Sequence, residues 1–402
     1  MKNGKIKVLI ISGQYPPTVG GGGTHAYYLA NELISNKKVN VTVLTSHIKG
    51  LPKDEKNSKG LEIYRVDFKH SESLIYEAAI AKGLEICEKK SPDIIHCQHI
   101  DGTIIGLHLK ASFNIPLIVT LHKTPLLRFD DSIPKRVPLY SNIKLLTKFN
   151  GIDYFVAGSK IFNQELQQIG LTVDKIKFIY HGVPYKYLQF LAFNNDLISQ
   201  IKLELNLKTS DFLIICPSRL DERKELDALL KAIIILQKDI THLNFKVIIT
   251  GDVRDGNESD KKIKNQLIEI AKSSNFQDNL IFKKFAFEHL PSIFSIADVC
   301  ILPSKKEGLG LVLLEALSVR CPVIAANAQG IDEVIQSEIN GLLFEPSDTN
   351  DLYRQLKRLI LNPQLKIDFK KNGLKKVKET FNAKRMADEH IELYHKVLNI
   401  NN

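Results

Sequence analysis

Short apolar runs rich in β-branched residues alternate with segments of helical periodicity along most of the chain. The runs have the length and composition of strands that are buried on both faces, whereas the segments between them carry apolar residues at helical spacing. This alternation predicts parallel sheets with helices on both faces. The predicted strands are residues 6–12, 39–46, 93–98, 116–122 and 153–159 in a first series, and residues 212–220, 245–252, 279–285, 298–304 and 321–327 in a second.

Two such series predict two similar domains, and a length of 402 residues favours the same division. The predicted fold class is therefore α/β, with two Rossmann-like doubly wound parallel sheets. We place an N-terminal domain at 1–184, a polar linker region at 185–210 and a C-terminal domain at 211–380. An amphipathic helix at 381–402 either closes the second domain or packs back on the first.

The composition favours a globular protein over a membrane-spanning or disulfide-rich one. A content of 44% hydrophobic and 25% charged residues is typical of a globular protein, and no apolar run reaches the length of a membrane-spanning helix. The five cysteines are scattered and form no CxxC motif, which predicts reduced, buried thiols and a cytoplasmic location. The net charge of +10 favours a basic surface or an anionic partner, but no nucleic-acid-binding motif accompanies it.

Four glycines, Gly20 to Gly23, follow the first predicted strand and lead into a helix that we expect to begin near Thr24. Glycine lets main-chain N–H groups approach an anion closely, and a helix N-terminus favours negative charge. Seven residues separate the first strand from the first glycine, and the second predicted strand ends without an acid. Both features disfavour a nicotinamide dinucleotide site.

Charged and aromatic side chains follow other predicted strands, where ligands of parallel sheets bind. His122 ends one strand, Arg219 ends another, and Lys224 lies five residues beyond Arg219 at the start of a helix. The two cations form a candidate diphosphate clamp, since arginine offers a planar fork and lysine a point charge. His96, Cys97 and His99 cluster at a further strand end, but no acid is near them, and we expect no metal site there.

The stretch KKEGLGLVLLEAL, residues 305–317, places two glutamates eight residues apart with glycines between them. Because it follows a predicted strand, we interpret it as a loop with Glu307 and then a helix with Glu315. The glycines mark the loop, and the first main-chain N–H groups of the helix would suit a phosphate.

The segments RLDERKEL, PSKKEGLGLVLLEALSVRCPVIA, GIDEVI and NGLLFEPSD together resemble the retaining glycosyltransferases of family 4, of the GT-B type. The resemblance implies two Rossmann-like domains that face each other across a cleft, with the acceptor on the N-terminal domain. A nucleotide-diphosphate sugar, with uridine or guanosine as the nucleoside, would be the donor on the C-terminal domain. The acceptor would be a hydroxyl group of a glycan, a glycolipid or a small molecule.

The resemblance also implies roles for individual residues. Arg219 and Lys224 would hold the diphosphate, Glu315 the ribose, and Glu307 hydroxyls of the transferred sugar. His122 would lie at the donor sugar. The remaining donor-binding residues implied by the motifs are Gly22, Gly23, Gly308, Leu309, Gly310 and Leu311.

The chain contains no D-x-D motif, so the metal-chelating alternative of other glycosyltransferases has no candidate, and we expect neither a metal nor another cofactor. Four positions depart from the family pattern, and two of them, Lys284 and Gln329, could alter the fit of the base or the donor sugar. The other two are Arg320 before PVI and His181 in HGV.

Three further expectations stay open on the sequence alone. Residues 134–149 mix lysine and arginine with leucine and isoleucine, which is compatible with peripheral contact with an anionic membrane or with an ordinary surface helix. A GT-B-fold epimerase or phosphorylase is an alternative activity. A non-catalytic subunit that binds nucleotide sugars is another.

Overall fold

The structure is a computed structural model that describes residues 4–18, 20–68, 76–122, 151–254 and 256–400. The chain divides into two compact units. The first unit comprises Met1–Gly182 together with Asn382–Asn402, and the second comprises Val183–Phe381. Each unit is built on its own sheet.

The described part of the first unit contains an eight-stranded sheet with the order β3-β4-β2-β1-β5-β6-β7-β8. All neighbouring strands are parallel except β3 and β4. The strands are β1 (Ile6–Ser12), β2 (Val39–Ser46), β3 (Asp54–Lys56), β4 (Glu62–Val66), β5 (Ile94–Gln98), β6 (Leu117–Leu121), β7 (Tyr154–Ala157) and β8 (Ile176–Phe178), and the α-helices among the described residues before 183 are α1 (Gly21–Ser35), α2 (Glu77–Lys90), α3 (His99–Phe113) and α4 (Lys160–Gln168).

The central strands of this sheet are buried on both faces, as the continuous apolar runs predict. β5 and β6 are buried along their whole length, and β1 is exposed only at Lys7. β1 pairs with β2 on one side and β5 on the other, so the strand order reverses beside it. In open parallel sheets the carboxyl edge at such a reversal is the usual place for a ligand.

The described part of the second unit contains a six-stranded parallel sheet with the order β11-β10-β9-β12-β13-β14. The strands are β9 (Asp211–Cys216), β10 (Asn244–Ile249), β11 (Leu280–Phe282), β12 (Val299–Leu302), β13 (Val323–Ala326) and β14 (Leu342–Phe344), and the helices are α5 (Tyr185–Ala192), α6 (Asn195–Glu204), α7 (Leu226–Asp239), α8 (Glu258–Ser273), α9 (Leu290–Ile296), α10 (Leu311–Ser318), α11 (Thr349–Leu361) and α12 (Pro363–Thr380). The strand order reverses at β9, which lies between β10 and β12.

Side-chain caps fix where several helices of the second unit begin. The side chains of Asn194, Asn257, Asp348 and Asn362 each accept a hydrogen bond from a main-chain N–H group of the first turn. Such caps satisfy donors that the helix itself leaves without a partner. α12 also begins with a proline at its first position, where the missing N–H group costs nothing.

The segment 185–210, predicted as a linker region, lies within the second unit and forms α5 and α6. The amide of Gln189 donates to the carbonyl of Ser318 over 2.9 Å, and the Ser292 hydroxyl donates to the carbonyl of Leu191 over 2.9 Å. The sequence is polar because one side of these helices is exposed, as at Asp196 and Gln200.

The last helix, α13 (Ala383–Ile400), belongs to the first unit although almost 200 residues of the second unit precede it. Met386, Tyr394 and Val397 are buried on its inner side. The main-chain N–H of Gly182 donates to the sulfur of Met386 over 3.1 Å, and the Arg385 guanidinium donates to the carbonyl of Tyr180 over 2.8 Å. These contacts hold the end of the chain to the residues that complete the first sheet.

Three expectations from composition concern the whole chain. All five cysteines are free and buried, as expected. Among the described residues, no helix has the length and apolar character needed to cross a membrane. The basic segment 134–149 lies outside the described residues.

Candidate functional site

The stretch that carries Glu307 and Glu315 forms the strand, loop and helix that its glycines predict. β12 ends at Leu302, and α10 begins at Leu311. Gly310 precedes the helix with a φ of +74°, a left-handed conformation that favours glycine. Glu307 lies on the loop, whereas Glu315 lies in the second turn of the helix and is only 7% exposed.

The flanking residues Leu309 and Leu311 are buried. Their side chains therefore serve the packing of the loop, and only their main-chain groups are suited to meet a ligand.

Lys224 and Glu307 meet although 83 residues separate them, and the ammonium donates to the carboxylate in a half-buried ion pair. A second ion pair joins the same two loops, between Lys305 and Glu225 at 2.6 Å. The main-chain N–H of Lys305 also donates to the carbonyl of Arg223 over 3.0 Å. The loops that follow β9 and β12 are thus fastened to each other at the carboxyl edge of the sheet, on the two strands where the order reverses.

The other cations of the loop after β9 have different surroundings. Asp221 accepts from the Arg223 guanidinium over 3.0 and 2.8 Å, and this bond lowers the pKa of Asp221 to about 2. Within the residues that the structure describes, Arg219 forms no ion pair. Arg223 is therefore occupied by its neighbour, whereas Arg219 keeps its donors for another partner.

Two glycines that the sequence interpretation did not single out support these loops. A Cβ atom on Gly251 would lie 2.2 Å from the carbonyl oxygen of Ser218 and 2.8 Å from the Cα of Arg219. A Cβ atom on Gly330 would lie 2.5 Å from the carbonyl oxygen of Gly308 and 2.9 Å from that of Glu307. Neither position can carry a side chain without a shift of the backbone that presents Arg219 or Glu307. Gly251 lies near the end of a predicted strand and Gly330 follows another, a signal that could have identified them.

Three of the four positions that depart from the family pattern, Lys284, Arg320 and Gln329, lie in the second unit. The Lys284 ammonium donates to the carbonyl of Val253 over 3.2 Å, on the loop after β10. Gln329 is exposed beside Gly330. Arg320 has a φ of +61° in the turn between α10 and β13.

In the first unit, the glycine-rich stretch is part of a helix rather than a loop before one. α1 begins at Gly21, not near Thr24 as expected. A Cβ atom on Gly22 would overlap the imidazole of His99 at 1.8 Å, and one on Gly23 would lie 3.0 Å from the main chain of Gln14. Close packing inside the unit therefore requires both glycines.

His122 lies directly after β6 in a group of histidines. Its Nε2 atom forms a hydrogen bond of 2.8 Å with the Oε1 atom of Gln98. The ring centroid of His122 lies 4.7 Å from that of His25 and 4.9 Å from that of His181, and the rings of His25 and His181 are 3.9 Å apart. We call His25, His122 and His181 the histidine triad.

Two rings of the triad are shielded from solvent, and His122 is partly exposed. His25 is fully buried and His181 is 2% exposed. Burial lowers the pKa of His25 well below its usual value, and the nearby rings of His181 and His122 lower it further. Burial also lowers the pKa of His181 to about 3. Burial lowers the pKa of His122 well below its usual value as well, so all three rings are neutral near pH 7.

His96 and His99, which the sequence places on either side of Cys97, have other surroundings. His96 bonds to the hydroxyl of Tyr394 and to that of Thr120, each at 2.8 Å, and His99 faces Gly22. His96 and His99 therefore have separate neighbours. His25 and His181 were missed as neighbours of His122, although each follows a strand of the same sheet.

Two family models match the chain, one over most of each unit. The model of the glycosyl transferases group 1 matches residues 198–376, and that of the glycosyltransferase family 4 matches residues 19–186. Similar curated proteins include an uncharacterized glycosyltransferase of Methanocaldococcus jannaschii, 23% identical over 97% of this chain and 98% of that protein. Another is the N-acetyl-alpha-D-glucosaminyl L-malate synthase of Bacillus anthracis, 24% identical over 80% of each chain.

Solved structures share the whole fold. The sucrose-phosphate synthase of Thermosynechococcus elongatus superposes with a TM-score of 0.80 at 20% identity, over 98% of this chain and 100% of that one. The Anabaena protein HepE in complex with UDP-glucose superposes with a TM-score of 0.78 at 19% identity, over 97% and 100% of the two chains. These likenesses confirm the predicted fold class of two Rossmann-like domains of the GT-B type.

Proposed function

Because the chain belongs to the group 1 and family 4 glycosyltransferases, we propose that it transfers a sugar from a nucleotide-diphosphate sugar to a hydroxyl acceptor, with retention of configuration. The diphosphate is held by protein cations instead of a divalent metal. Similar structures contain UDP or UDP-glucose, which makes uridine sugars the first donors to test and guanosine sugars the second.

The strongest support for the proposal is the ion pair between Lys224 and Glu307. Lys224 and Glu307 come from distant parts of the sequence and form an ion pair on adjoining loops at the carboxyl edge of the second sheet. Arg219 follows the same strand as Lys224. An arrangement of two cations and one carboxylate suits a ligand that is anionic at its diphosphate and rich in hydroxyl groups at its sugar.

The chemistry assigns a task to each of these groups. As the bond between the sugar and the diphosphate breaks, negative charge grows on the leaving phosphate, where Arg219 and Lys224 stabilise it. The main-chain N–H groups at the start of α10, near Leu311, add further donors. Glu307 accepts hydrogen bonds from hydroxyls of the sugar, and Glu315 accepts them from the ribose.

Retention is proposed to follow from transfer on the face of the leaving group, whose phosphate oxygen receives the proton of the acceptor hydroxyl. From the first unit we propose that the main chain at Gly22 and Gly23 approaches the donor phosphate and that His122 lies at the donor sugar. The structure gives each of these three residues an additional role in packing or in the histidine triad.

The proposal is tested with Lys224→Ala and Glu307→Gln and a matched control pair. Each change should lower kcat for release of nucleoside diphosphate by roughly 100-fold or more, because it removes charge stabilisation or substrate orientation at the reacting centre. The control variants Lys305→Ala and Glu225→Gln break the neighbouring ion pair on the same loops. They should keep activity within a few-fold of the original protein.

The assay combines the protein with a panel of uridine and guanosine sugars, without added Mg²⁺ or Mn²⁺, and identifies products by mass and anomeric configuration. Equal activity of all four variants contradicts the site assignment. An altered sugar without transfer would indicate an epimerase, and tight donor binding without turnover on any acceptor would indicate a binding subunit.

A further inference from the structure

We propose that the histidine triad of the first unit, His25, His122 and His181, binds one first-row transition-metal ion, for which zinc is the expected occupant. The three residues all belong to the first unit, whereas Arg219 and Lys224 belong to the second. This site goes beyond the proposed transfer reaction and shares only His122 with it.

The geometry brings three ligand atoms together. Each residue of the triad offers one ring nitrogen, and these nitrogens lie within 4.8 Å of one another. Zinc–nitrogen bonds of about 2.0–2.1 Å in a tetrahedral arrangement place ligand nitrogens about 3.4 Å apart. The rings need to approach one another by at most about 1.4 Å, the difference between 4.8 Å and about 3.4 Å, which small side-chain rotations supply.

The second observation is that the buried nitrogens lack partners. Among the residues that the structure describes, neither ring nitrogen of His25 and neither ring nitrogen of His181 has a hydrogen-bond partner. A buried polar group without a hydrogen-bond partner lowers the stability of the folded state. The imidazoles of His25 and His181 are in contact, with 3.9 Å between their centroids. Apolar side chains at these two positions would fill the core without burying polar nitrogens. A metal ion uses their lone pairs.

The protonation state also fits a metal site. The pKa of each triad histidine is lowered, chiefly by burial, so the rings keep their lone pairs near pH 7. The Gln98 amide oxygen accepts from Nε2 of His122, which places the proton on that nitrogen and leaves the other one able to donate electrons. A hydrogen bond of this kind orients ligands in known metal sites.

Two residues next to the triad, Gly158 and His390, also fit a metal site. A Cβ atom on Gly158 would lie 2.0 Å from the His181 ring, so only glycine leaves room for that ring. His390 of α13 donates its Nδ1–H to the carbonyl of Met386 over 2.7 Å, and its buried Nε2 has no partner among the described residues. Its ring centroid is 6.4 Å from that of His25, and the ring centroid of His99 is 4.6 Å from that of His122, so two further imidazoles border the site.

The donor set selects the class of metal. Three imidazoles without a carboxylate suit zinc, copper, nickel or cobalt, whereas magnesium and calcium require oxygen ligands. Sites with three histidines leave a fourth coordination position open. All three ligand residues belong to the first unit, so zinc is expected to bind to the full chain whether or not a nucleotide sugar is present.

The test uses full-length protein prepared without a polyhistidine tag. After removal of metal with a chelator, zinc should bind at one equivalent and raise the Tm, since a ligand that binds the folded state stabilises it. Magnesium should do neither. Cobalt should produce the visible bands of a tetrahedral site with nitrogen ligands and without thiolate charge transfer.

Variants His25→Asn and His181→Asn should weaken zinc binding by at least about 100-fold, because loss of a direct ligand costs more than loss of a supporting residue. His108→Ala removes an exposed histidine of the same unit and is the matched control, which should bind zinc like the original protein. Neither triad variant belongs to the proposed donor site, so metal content is judged independently of transfer.

The proposal is overturned if the original protein takes up no zinc at stoichiometric level, or if both triad variants bind as tightly as His108→Ala. Should a triad variant fail to fold, the cobalt spectrum of the original protein decides, and absence of tetrahedral bands then overturns the proposal. Failure of the transfer assay would leave each of these measurements unchanged.

Discussion

At the scale of single residues, glycines with a left-handed backbone hold the loops that present the candidate donor site. Gly330 has a φ of +83°, and the space where its Cβ atom would lie is filled by the main chain of Glu307 and Gly308. Gly256 has a φ of +70°, but nothing lies within 4 Å of the corresponding point. A substitution at Gly256 therefore measures the cost of the left-handed backbone alone, whereas one at Gly330 adds the cost of a steric clash.

We expect Gly256→Ala to lower the free energy of unfolding by about 1 kcal/mol, which is the usual cost of a left-handed conformation for a residue with a Cβ atom. Gly330→Ala should lower it by about 2–4 kcal/mol and also reduce transfer activity, because the backbone of Glu307 must move. Urea unfolding and the nucleotide-release assay measure both effects. Equal losses of stability in the two variants would contradict the steric argument.

Asp221 gives a second prediction at this scale, concerning pH. Its folded pKa of about 2 lies below the ordinary aspartate pKa of 3.8, chiefly because its carboxylate accepts a hydrogen bond from Arg223. The stability that this bond contributes is therefore complete above pH 3.8 and is lost as the pH falls toward 2.

Asp221→Asn keeps a capping side chain but removes the charge, and we expect it to cost about 1 kcal/mol at pH 7, allowing for solvent screening. The difference from the original protein should shrink at pH 3. Glu258→Gln, which breaks the exposed pair with Lys261, should cost little at either pH and serves as the control. A pH-independent difference for Asp221→Asn would contradict the assignment.

At the scale of secondary-structure elements, α13 is joined to the first sheet by buried polar contacts as well as by apolar packing. The Tyr394 hydroxyl bonds to Nδ1 of His96 on β5, and Nε2 of His96 bonds to Thr120 on β6. Burial lowers the pKa of His96 well below its usual value, so the ring is neutral and can both donate and accept. One chain of hydrogen bonds thus connects a helix and two strands.

Tyr394→Phe retains the ring and removes the hydroxyl, which leaves one nitrogen of His96 without its partner. The expected loss in the free energy of unfolding of the first unit is about 1–3 kcal/mol, the cost of a buried polar group without a partner. Tyr353→Phe removes an exposed hydroxyl that donates to Asp239 over 2.8 Å, and it should cost less than about 1 kcal/mol. The comparison fails if the exposed and buried hydroxyls prove equally important.

At the scale of the whole molecule, the chain leaves the first unit at Gly182 and returns to it at Asn382. A Cβ atom on Gly182 would lie 2.5 Å from the carbonyl oxygen of Asn382, so the two ends of the first unit are side by side. The second unit has an equivalent closure, since the N–H of Val183 donates to the carbonyl of Phe381 over 2.8 Å. Each unit can therefore be cut out at points that are already adjacent.

We expect residues 183–381 to fold alone, because this segment contains a complete sheet and its own core. Residues 1–182 alone should unfold at lower urea concentration than a chain in which a short glycine–serine linker joins 1–182 to 382–402. Only the linked chain restores the buried side chains of α13. Equal stability of the two first-unit chains would show that α13 contributes little.

The sequence by itself determined the class of fold and the location of most central strands. Apolar runs such as 6–12 and 39–46 coincide with β1 and β2, because strands buried on both faces must be apolar throughout. The three-residue strands β8 and β14 were not predicted, because so few residues carry no readable period, whereas the equally short β11 lies within the longer apolar run 279–285. The strand, loop and helix around Glu307 and Glu315 were predicted, since Gly308 and Gly310 favour a loop and the apolar run after them a helix.

Only the tertiary structure decided which distant residues meet. The pairing of Lys224 with Glu307 depends on β9 and β12 being neighbours in the sheet, and spacing along the chain does not encode that order. The same holds for His25, His122 and His181, which follow three different strands and converge because parallel strands end at one edge. A search for metal motifs by local spacing, such as D-x-D or His96 with His99, cannot find ligands that lie 59 and 97 residues apart. Local propensity determines where strands and helices form, whereas the order of strands in the sheet and burial determine which distant side chains meet.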